Sequence, residues 1–338
     1  MAEPVVEPIV SHQRSLGELS DEIKTISRAS SGVRRSRALM KKWKSAIDGG
    51  MGFALFDGSE CIGLLLYSAD YELRFSSFLS AESAEKLPQS ATIFACHVLE
   101  RARNGSASNE RLLLRSAASR LRTVKSIETI AVQTAPLYRL DFEETLSQLG
   151  FLNCRRVQME RDLGVHLPKS AAPPECVIEP PMLEEADDLR SAVYHGYFSE
   201  IDGYLFPDIA AVCSDGALFQ EFLNSSSLDR GASVMARIQG YPCGCVLVLS
   251  AGERRCGMIG VVATVPTMRR RGIARAMLVR VMQWLKQHRY GRATLAVTVE
   301  NQAALKLYIS LGFKEVGPRK TIAVWRRSVS RPLIGLSR

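Results

Sequence analysis

Three consecutive arginines and a glycine, Arg269 to Gly272, stand where an apolar run gives way to a helical pattern. A strand that turns directly into a helix presents the first amide groups of the helix at the edge of the sheet. Those donors and the helix dipole bind anions. Glycine at position 272 lets a ligand approach the backbone closely, and the small Ala274 has the same effect. The pattern therefore predicts a phosphate site and favours a diphosphate.

Apolar periodicity predicts the elements that position this turn. A helix is expected from about Gly272 to Gln287, because apolar side chains recur every four residues along it. Asn301 is a plausible N-cap for a second helix that ends before Gly312. The remaining elements of this half are predicted over Cys176–Glu179 (strand), Met182–Leu223 (helices), Ala232–Ala251 (hairpin), Cys256–Val265 and Ala293–Val299 (strands), and Lys314–Arg327 (a strand pair). This is an α/β unit with a mixed sheet.

Two segments resemble the GNAT superfamily of acyl-CoA-dependent N-acetyltransferases. "RRRGIA" (Arg269 to Ala274) fits the (Gln/Arg)-x-x-Gly-x-(Gly/Ala) signature of that family, and the preceding "VVATVP" looks like its fourth strand. "NQAALKLYISLGF" (Asn301 to Phe313) is similar to its downstream Asn-x-x-Ala-x-x-x-Tyr-x-x-x-Gly-Phe segment. The resemblance covers about Cys176 to Arg327, and it extends to the first half of the chain only through internal similarity.

The resemblance implies acetyl-CoA as co-substrate, with no metal and no covalent enzyme intermediate. Strand amides near Ala263 and Val265 are expected to pair with the pantetheine arm, in a wedge between the fourth and fifth strands. Backbone donors there stabilise the oxyanion of the tetrahedral intermediate. The signature loop is expected to hold the diphosphate through the amides of Arg270, Arg271, Gly272, Ile273, Ala274 and Arg275.

Tyr308 matches the tyrosine that often protonates the departing thiolate in this family, and a phenol with a pKa of about 10 suits that task. The alternative is a core tyrosine on an amphipathic helix. Asn301 is expected either to contact the cofactor or only to cap its helix.

The general base is open. Some family members carry a glutamate on the fourth strand, but the matching position here is about Met258, which cannot accept a proton. Water-mediated deprotonation is one alternative, and His195, Glu200 and Asp202 are the side-chain candidates. Four aromatic residues in the same stretch either line an acceptor pocket or pack in the ordinary way: Tyr194, Tyr197, Phe198 and Tyr204.

Three matches in the same order indicate a duplication. "FDGSECIGLLLYS" (Phe56 to Ser68) corresponds to "IQGYPCGCVLVLS" (Ile238 to Ser250), "TIAVQT" to "TLAVTV", and "LSQLGF" to "YISLGF". We therefore predict an α/β protein of two GNAT-like domains, each a mixed, largely antiparallel sheet flanked by helices. Residues 1–163 form the first domain, 164–175 a linker rich in Pro, Ala and Ser, and 176–330 the acetyltransferase domain.

The first domain is expected to be degenerate and inactive. The segment aligned with the signature loop is Asn104 to Asn109, where Ala107 replaces the glycine and the arginine is absent. Leu146 replaces the tyrosine. Residues Ala69 to Ser90 are interpreted as an insertion.

Composition narrows the class of protein. The chain has 338 residues, 46% of them hydrophobic, and no apolar run of the roughly 18 residues that a membrane helix needs. No signal peptide is recognised, so a cytoplasmic protein with no membrane partner is expected.

The eight cysteines are interpreted as structural, because they lack the spacing and the nearby histidines of a zinc site. Ala251 to Arg338 contain 18 Lys or Arg and 3 acidic residues, which favours an anionic partner.

The preferred function is an acetyl-CoA-dependent N-acetyltransferase that acts on a small-molecule amine by direct attack in a ternary complex, as a monomer or homodimer. The first alternative is a protein lysine or N-terminal acetyltransferase. The second is a non-catalytic nucleic-acid-binding remnant, which the absence of aromatic residues interleaved with the basic ones disfavours.

Overall fold

A computed structural model describes residues 4–9, 40–69, 78–102, 108–133, 142–198, 200–250 and 255–327. The chain forms two compact units. The first comprises Met1–Tyr71, Pro88–Cys154 and Lys320–Val329, and the second comprises Glu72–Leu87, Arg155–Arg319 and Ser330–Arg338. Each unit therefore takes segments from both halves of the sequence. The domain bounds expected from the sequence duplication, 1–163 and 176–330, therefore remain a prediction.

The first unit is built on a mixed sheet. Its strands are β1 (Val5–Pro8), β2 (Gly52–Asp57), β3 (Glu60–Ser68), β4 (Gln89–Val98) and β5 (Ile127–Gln133), followed in the sheet by the last part of β12 (Lys314–Arg326). Only the β4–β5 pair is parallel. Its helices are α1 (residues 40–48), α3 (Ser108–Thr123) and α4 (Phe142–Gln148).

Alternation along the strands places apolar side chains on both faces of this sheet. On β2, Phe53 and Leu55 join the core that contains α3, whereas Ala54 and Phe56 join a second core around Trp43. Successive side chains of a strand point to opposite faces, so the continuous apolar run of β2 fits a strand buried on both sides.

The second unit contains the predicted signature loop. Its strands, in sheet order, are β6 (Leu152–Asp162, from Arg155 onward), β11 (Arg292–Thr298), β10 (Cys256–Thr264), β9 (Tyr241–Ser250), β8 (Leu228–Ile238) and β7 (Cys176–Glu179). The β10–β11 pair is parallel, and the other pairs are antiparallel. Its helices are α2 (Ala81–Ala84), α5 (Ala186–Phe198), α6 (Ile201–Leu205), α7 (Pro207–Ser214), α8 (Gly216–Asn224), α9 (Ile273–Gln287) and α10 (Gln302–Ser310).

The helix predicted after the signature loop is present as α9, and its periodic apolar residues face the core. Ile273, Met277, Val281 and Leu285 are all buried there among residues of β8 and β9. The elements also recur in the same order in both halves of the chain: a hairpin, a strand, a helix, a strand, a helix and a strand. The predicted fold class, α/β with a mixed and largely antiparallel sheet flanked by helices, is confirmed.

One expected element is wrong. The sequence predicts a strand pair over Lys314 to Arg327, but β12 is one continuous strand. Gly317 has a φ of +71° without reversing the chain. Residues 322–326 instead pair with β5, so partner strands distant in the sequence replace the local hairpin.

The turn at Gly312 is closed by a buried guanidinium. Arg161 on β6 donates hydrogen bonds to the carbonyl oxygens of Leu311 and His166, the second at 2.8 Å. Gly312 has a φ of +83°, and a Cβ at this position would overlap the Arg161 guanidinium. Glycine is therefore required here both by the backbone conformation and by the packing.

Gly312→Ala should destabilise the protein more than Gly317→Ala. Both positions have positive φ, which costs a non-glycine residue roughly 1–2 kcal/mol. A Cβ added at position 317 would have no atom within 4 Å, whereas one at position 312 must also displace Arg161 from its carbonyl partners. Hydrogen bonds of charged groups contribute about 1.5–3 kcal/mol. Urea unfolding should therefore show losses of about 1–2 kcal/mol for Gly317→Ala and about 3–4 kcal/mol for Gly312→Ala. Equal losses of stability in the two variants would show that Arg161 can move away from a Cβ at position 312 without cost.

Candidate functional site

The site is a cleft that opens where β10 and β11 separate. These parallel strands pair from Cys256–Arg292 to Ile259–Leu295. The register of β10 against β9 then shifts between Ile259 and Val261, which marks a β-bulge at Gly260. Because β11 continues alongside β6 while its ladder with β10 ends, a wedge forms between the two strands. The predicted divergence of these two strands is therefore present.

Side chains and backbone of five elements line this cleft, which encloses about 470 Å³ including its open mouth. It takes residues from the end of α5, from α6, from the facing edges of β10 and β11, and from α10. The lining residues are Gly196, Tyr197, Glu200, Asp202, Ile259, Gly260, Val262, Leu295, Ala296, Val297, Asn301, Ala304 and Tyr308. Apolar strand residues, two carboxylates and a phenol therefore line the same cleft.

Gly196 brings α5 against β10 at this cleft. A Cβ there would lie 2.7 Å from the Cβ of Ala263, closer than packed carbon atoms approach. Sequence analysis did not identify this residue, since a single glycine inside a helix has no distinctive pattern. The need for glycine at position 196 becomes visible only in the tertiary structure, where β10 packs against α5.

The strand amides at the wedge differ from those predicted. The amide of Val265 donates to the carbonyl oxygen of Cys243, at 3.0 Å. Hydrogen-bonded pairs alternate along an antiparallel ladder, so Ala263, two residues earlier, also pairs toward β9. Val262 and Thr264 lie between these residues and direct their amides toward the wedge. We therefore propose Val262 and Thr264, in place of Ala263 and Val265, as the strand donors to the pantetheine arm.

The signature loop forms an open turn before α9. A short 3₁₀ turn over Pro266–Met268 leads into Arg270, which has a φ of +64°, and then into Gly272 with a φ of +80°. Gly272 is the N-cap of α9, and no atom lies within 4 Å of a Cβ built on it. Among the described residues, the amides of Arg270 to Arg275 have no acceptor. The loop is a row of free donors at the positive end of a long helix.

The arginines of this loop have different partners. Arg269 turns inward, where its guanidinium donates to the carbonyl oxygens of Thr264 (3.1 Å) and Gly196 (3.2 Å) and pairs with Glu200. Arg271 pairs with Glu175 at 2.7 Å, and Arg275 donates to Ser310 Oγ at 2.9 Å. Arg270 is exposed and has no partner within the described part of the chain. Ile273 is buried in the core below the loop, and Ala274 is half-buried.

Tyr308 and Asn301 lie together at the cleft. Tyr308 on α10 is 7% exposed and packs edge-on against Phe313 with a centroid distance of 6.0 Å. Asn301 caps α10 by accepting from the amide of Ala304, at 3.2 Å, and its amide nitrogen donates to Asp202. The capping alternative for Asn301 is therefore realised, while its side chain also borders the cleft.

Two of the three predicted base candidates lie in the cleft. His195 is exposed and packs against Tyr194 outside the lining. Asp202 accepts hydrogen bonds from Thr298 Oγ1 at 2.6 Å and from Arg156 and Asn301 at 3.3 Å, so both of its oxygens are engaged. Glu200 pairs with Arg269 through Oε1, and its Oε2 has no partner in the described residues.

Of the four aromatic residues in this stretch, one lines the cleft and three do not. Tyr197 lines the cleft, and Tyr204 is buried in the unit. Tyr194 and Phe198 stack on each other at 5.1 Å, with Phe198 67% exposed. Met258, which stands at the position of the missing glutamate, is not a lining residue.

The corresponding part of the first unit has a different charge. Of the segment Asn104 to Asn109, residues 104–107 lie outside the described residues, as do residues 70–77 of the predicted insertion. The helix that follows, α3, carries Glu110 in its first turn, and this carboxylate is only 3% exposed. A buried acid thus stands near the helix N-terminus where the second unit has Arg275.

The cysteines are all free thiols. Burial raises the pKa of Cys213 to about 12 and that of Cys243 to about 12, and Cys176 is half-buried. No group of three or more His, Cys, Asp or Glu side chains suited to hold a metal ion occurs within the described ranges. In the same residues, no helix is both long and apolar enough to cross a membrane.

Comparison with known proteins shows which family and folds the chain resembles. Residues 200–313 match the sequence profile of the Acetyltransferase (GNAT) family. The chain is similar in structure to a GCN5-related N-acetyltransferase from Sphaerobacter thermophilus, with 14% identity over 96% of this chain and 97% of that one and a TM-score of 0.58. It is also similar to a GCN5-related glucosamine N-acetyltransferase region in a fungal multi-domain GH3 β-N-acetylglucosaminidase, with 12% identity, coverage of 96% and 38%, and a TM-score of 0.54. A search of curated proteins found no match.

These matches confirm the resemblance on which the sequence prediction is based. Residues 200–313 carry the match to the GNAT family, and the chain as a whole is similar in fold to GNAT acetyltransferases. Arg156 lies outside the matched segment yet contacts Asp202 at the cleft. Sequence analysis did not single it out, because one arginine on a polar strand gives no pattern.

Cys213 and Cys243 should resist alkylation in the folded protein. Only the thiolate reacts, and with a pKa of about 12 roughly one thiol in 10⁴ is ionised at pH 8. Treatment with iodoacetamide at pH 8, followed by peptide mass spectrometry, should leave both unmodified while they react fully in urea. The labelling rate should rise about tenfold per pH unit as long as the protein stays folded. Native labelling as fast as in urea would contradict the burial.

Proposed function

We propose that this protein is an acetyl-CoA-dependent N-acetyltransferase that transfers an acetyl group to the amine of a small molecule, with its single active site in the second unit. The observation that carries the proposal is the row of free amides from Arg270 to Arg275 at the N-terminus of α9. It adjoins a wedge-shaped cleft between separated parallel strands. An anion site and a reaction cleft on one strand–helix junction fit a long, phosphate-bearing thioester.

The residues of the loop fit a diphosphate. Unpaired amides at a helix N-terminus bind anions through direct donation and through the helix dipole. The open space above Gly272 leaves room for a phosphate to approach the backbone. Arg270 adds an unpaired positive charge on the exposed side. We assign the diphosphate to the amides of Arg270 to Arg275 and the pantetheine arm to the strand donors at Val262 and Thr264.

When bound, acetyl-CoA supplies the activated acetyl group. Glu200 binds the incoming ammonium group and accepts its proton, because its Oε2 is free while Arg269 fixes the rest of the carboxylate. The backbone donors of β10 stabilise the oxyanion as the amine attacks directly. Tyr308 protonates the departing thiolate from the opposite wall of the cleft.

The charge of the cleft supports a cationic amine as the acceptor. Its charged lining residues are Glu200 and Asp202. Asp202 is paired with Arg156, whereas Glu200 has one carboxylate oxygen without a partner among the described residues, and this oxygen favours a cationic acceptor.

The first unit is proposed to have lost the reaction. Glu110 occupies the first turn of α3, so the helix end that would hold a diphosphate carries a buried negative charge instead. A like charge at that point opposes anion binding by the same electrostatics that favours it at α9. The chain is therefore expected to bind one acetyl-CoA.

Gly272→Glu should abolish acetyl-CoA binding. The substitution places bulk and a negative charge where the diphosphate is expected, and a like-charge contact costs several kcal/mol, or more than about 100-fold in affinity. Isothermal titration should show one site per chain in the wild type and no measurable binding in the variant.

Gly240→Glu is the matched control for this titration. Gly240 lies in the β8–β9 turn with a φ of +82° and, like Gly272, has no atom within 4 Å of its Cβ position. Its variant carries the same charge and the same backbone strain and should bind acetyl-CoA normally. Wild-type affinity in Gly272→Glu would refute the loop assignment, and no binding by folded wild-type protein would refute the proposed function.

Tyr308→Phe should lower kcat by about 100-fold or more while changing KM for acetyl-CoA less than about twofold, because it removes only the proton donor. Thiol release from acetyl-CoA, measured with a panel of amines, gives both constants. Tyr290→Phe is the control, since Tyr290 donates to Asp229 at 3.3 Å and does not line the cleft. If both substitutions changed kcat by the same small factor, Tyr308 would be a packing residue and not the proton donor.

A further inference from the structure

Arg156 lies on β6, ahead of the segment that matches the GNAT family, yet it reaches the cleft of the second unit. Its guanidinium pairs with Asp202 at 3.3 Å, donates to Thr298 Oγ1 at 3.1 Å, and donates to the carbonyl oxygen of Ala296 at 3.2 Å. The ring of Phe206 covers it, with 4.6 Å between the guanidinium carbon and the ring centroid. One side chain thus ties α6 to β11.

This ion pair is buried beneath the cleft. The side chain of Arg156 is 11% exposed and that of Asp202 is 12% exposed. Breaking such a pair by removing one partner leaves an uncompensated charge, whereas removing both charges together is far less costly. Arg156 is therefore what allows a carboxylate to remain at this position.

Asp202 connects the Arg156 ion pair to α10 through a hydrogen bond. It accepts from the amide nitrogen of Asn301, at 3.3 Å, while Asn301 caps α10 through the amide of Ala304. α10 carries Tyr308 on the wall of the same cleft. The chain of contacts runs from Arg156 through Asp202 and Asn301 to the helix that presents the phenol.

The neighbouring Arg155 has the same chemistry without this connection. It pairs with Glu300 at 3.7 Å and its side chain is 56% exposed, so the pair contributes little to stability. Two adjacent arginines on one strand thus provide a matched comparison between a buried, bridging guanidinium and a surface one.

We infer that Arg156 is a positioning residue of the active site: through Asp202 and Asn301 it sets the place of Tyr308. The effect on turnover rests on the proposed transferase function. The effect on the position of Tyr308 does not depend on it. Residue 156 belongs to the first half of the sequence duplication, so this half contributes to the site even though its own signature loop is degenerate.

The kinetic test compares Arg156→Met with Arg155→Met. Arg156→Met should lower kcat at least tenfold with KM for acetyl-CoA changed less than about twofold, because the signature loop does not contact this network. Arg155→Met should leave both constants unchanged. Arg156→Met combined with Asp202→Asn should recover most of kcat, since a side-chain amide at position 202 can bond Thr298 and Asn301 without a buried charge.

Arg156→Lys keeps the protein testable if the methionine variant fails to fold. Lysine retains the charge but lacks the planar fork that bridges three acceptors, so kcat should still fall several-fold. Wild-type kcat in folded Arg156→Lys and Arg156→Met, or a loss of stability without any loss of kcat, would overturn the inference.

Fluorine NMR of protein labelled with 3-fluorotyrosine gives a readout that needs no turnover. The chain has nine tyrosines, and the Tyr308 resonance is identified by its absence in Tyr308→Phe. This resonance should move in Arg156→Met, return toward its original position in the variant that also carries Asp202→Asn, and stay fixed in Arg155→Met. If no amine is acetylated by the wild type, the proposed function fails, and this spectrum still decides the inference. An unmoved resonance overturns it.

Discussion

The parallel pairing of β10 with β11 stops after Ile259 and Leu295, and the site exists because it stops there. A buried strand edge normally has its amides and carbonyl groups paired with a neighbour. Here the bulge at Gly260 redirects β10 along β9, and β11 remains with β6. The two strands then enclose a cleft whose walls are a strand edge with outward-facing donors and the start of α10.

The electrostatics of the signature loop depends on its backbone more than on its three arginines. Arg269 and Arg271 pair with Glu200 and Glu175, so among the described residues only Arg270 of the three keeps an unpaired charge. The amides that open α9 have no such partners among the described residues. Arg269 instead links the loop to Glu200 at the cleft through its guanidinium.

The two halves of the chain share an order of elements but differ in charge at one helix end. Both repeat the same order of strands and helices, which follows from apolar periodicity and not from the loop residues. The first turn of α3 carries the buried Glu110, whereas α9 carries Arg275 at the comparable place. The order of elements is therefore the same in both halves, while the first turn of the helix carries an opposite charge.

Local patterns in the sequence determined the helix after the signature loop, the capping role of Asn301, the hairpins and the fold class, because these depend on the spacing of apolar side chains and on residue types at turns. Tertiary structure decided the rest. The direction of each strand amide depends on register, so the strand donors that we propose are Val262 and Thr264 in place of Ala263 and Val265. The proposal of Glu200 rather than Asp202 or His195 as the base depends on which partners surround each group. The parts played by Gly196 and Arg156 depend on residues far away in the sequence, and no local pattern carries that information.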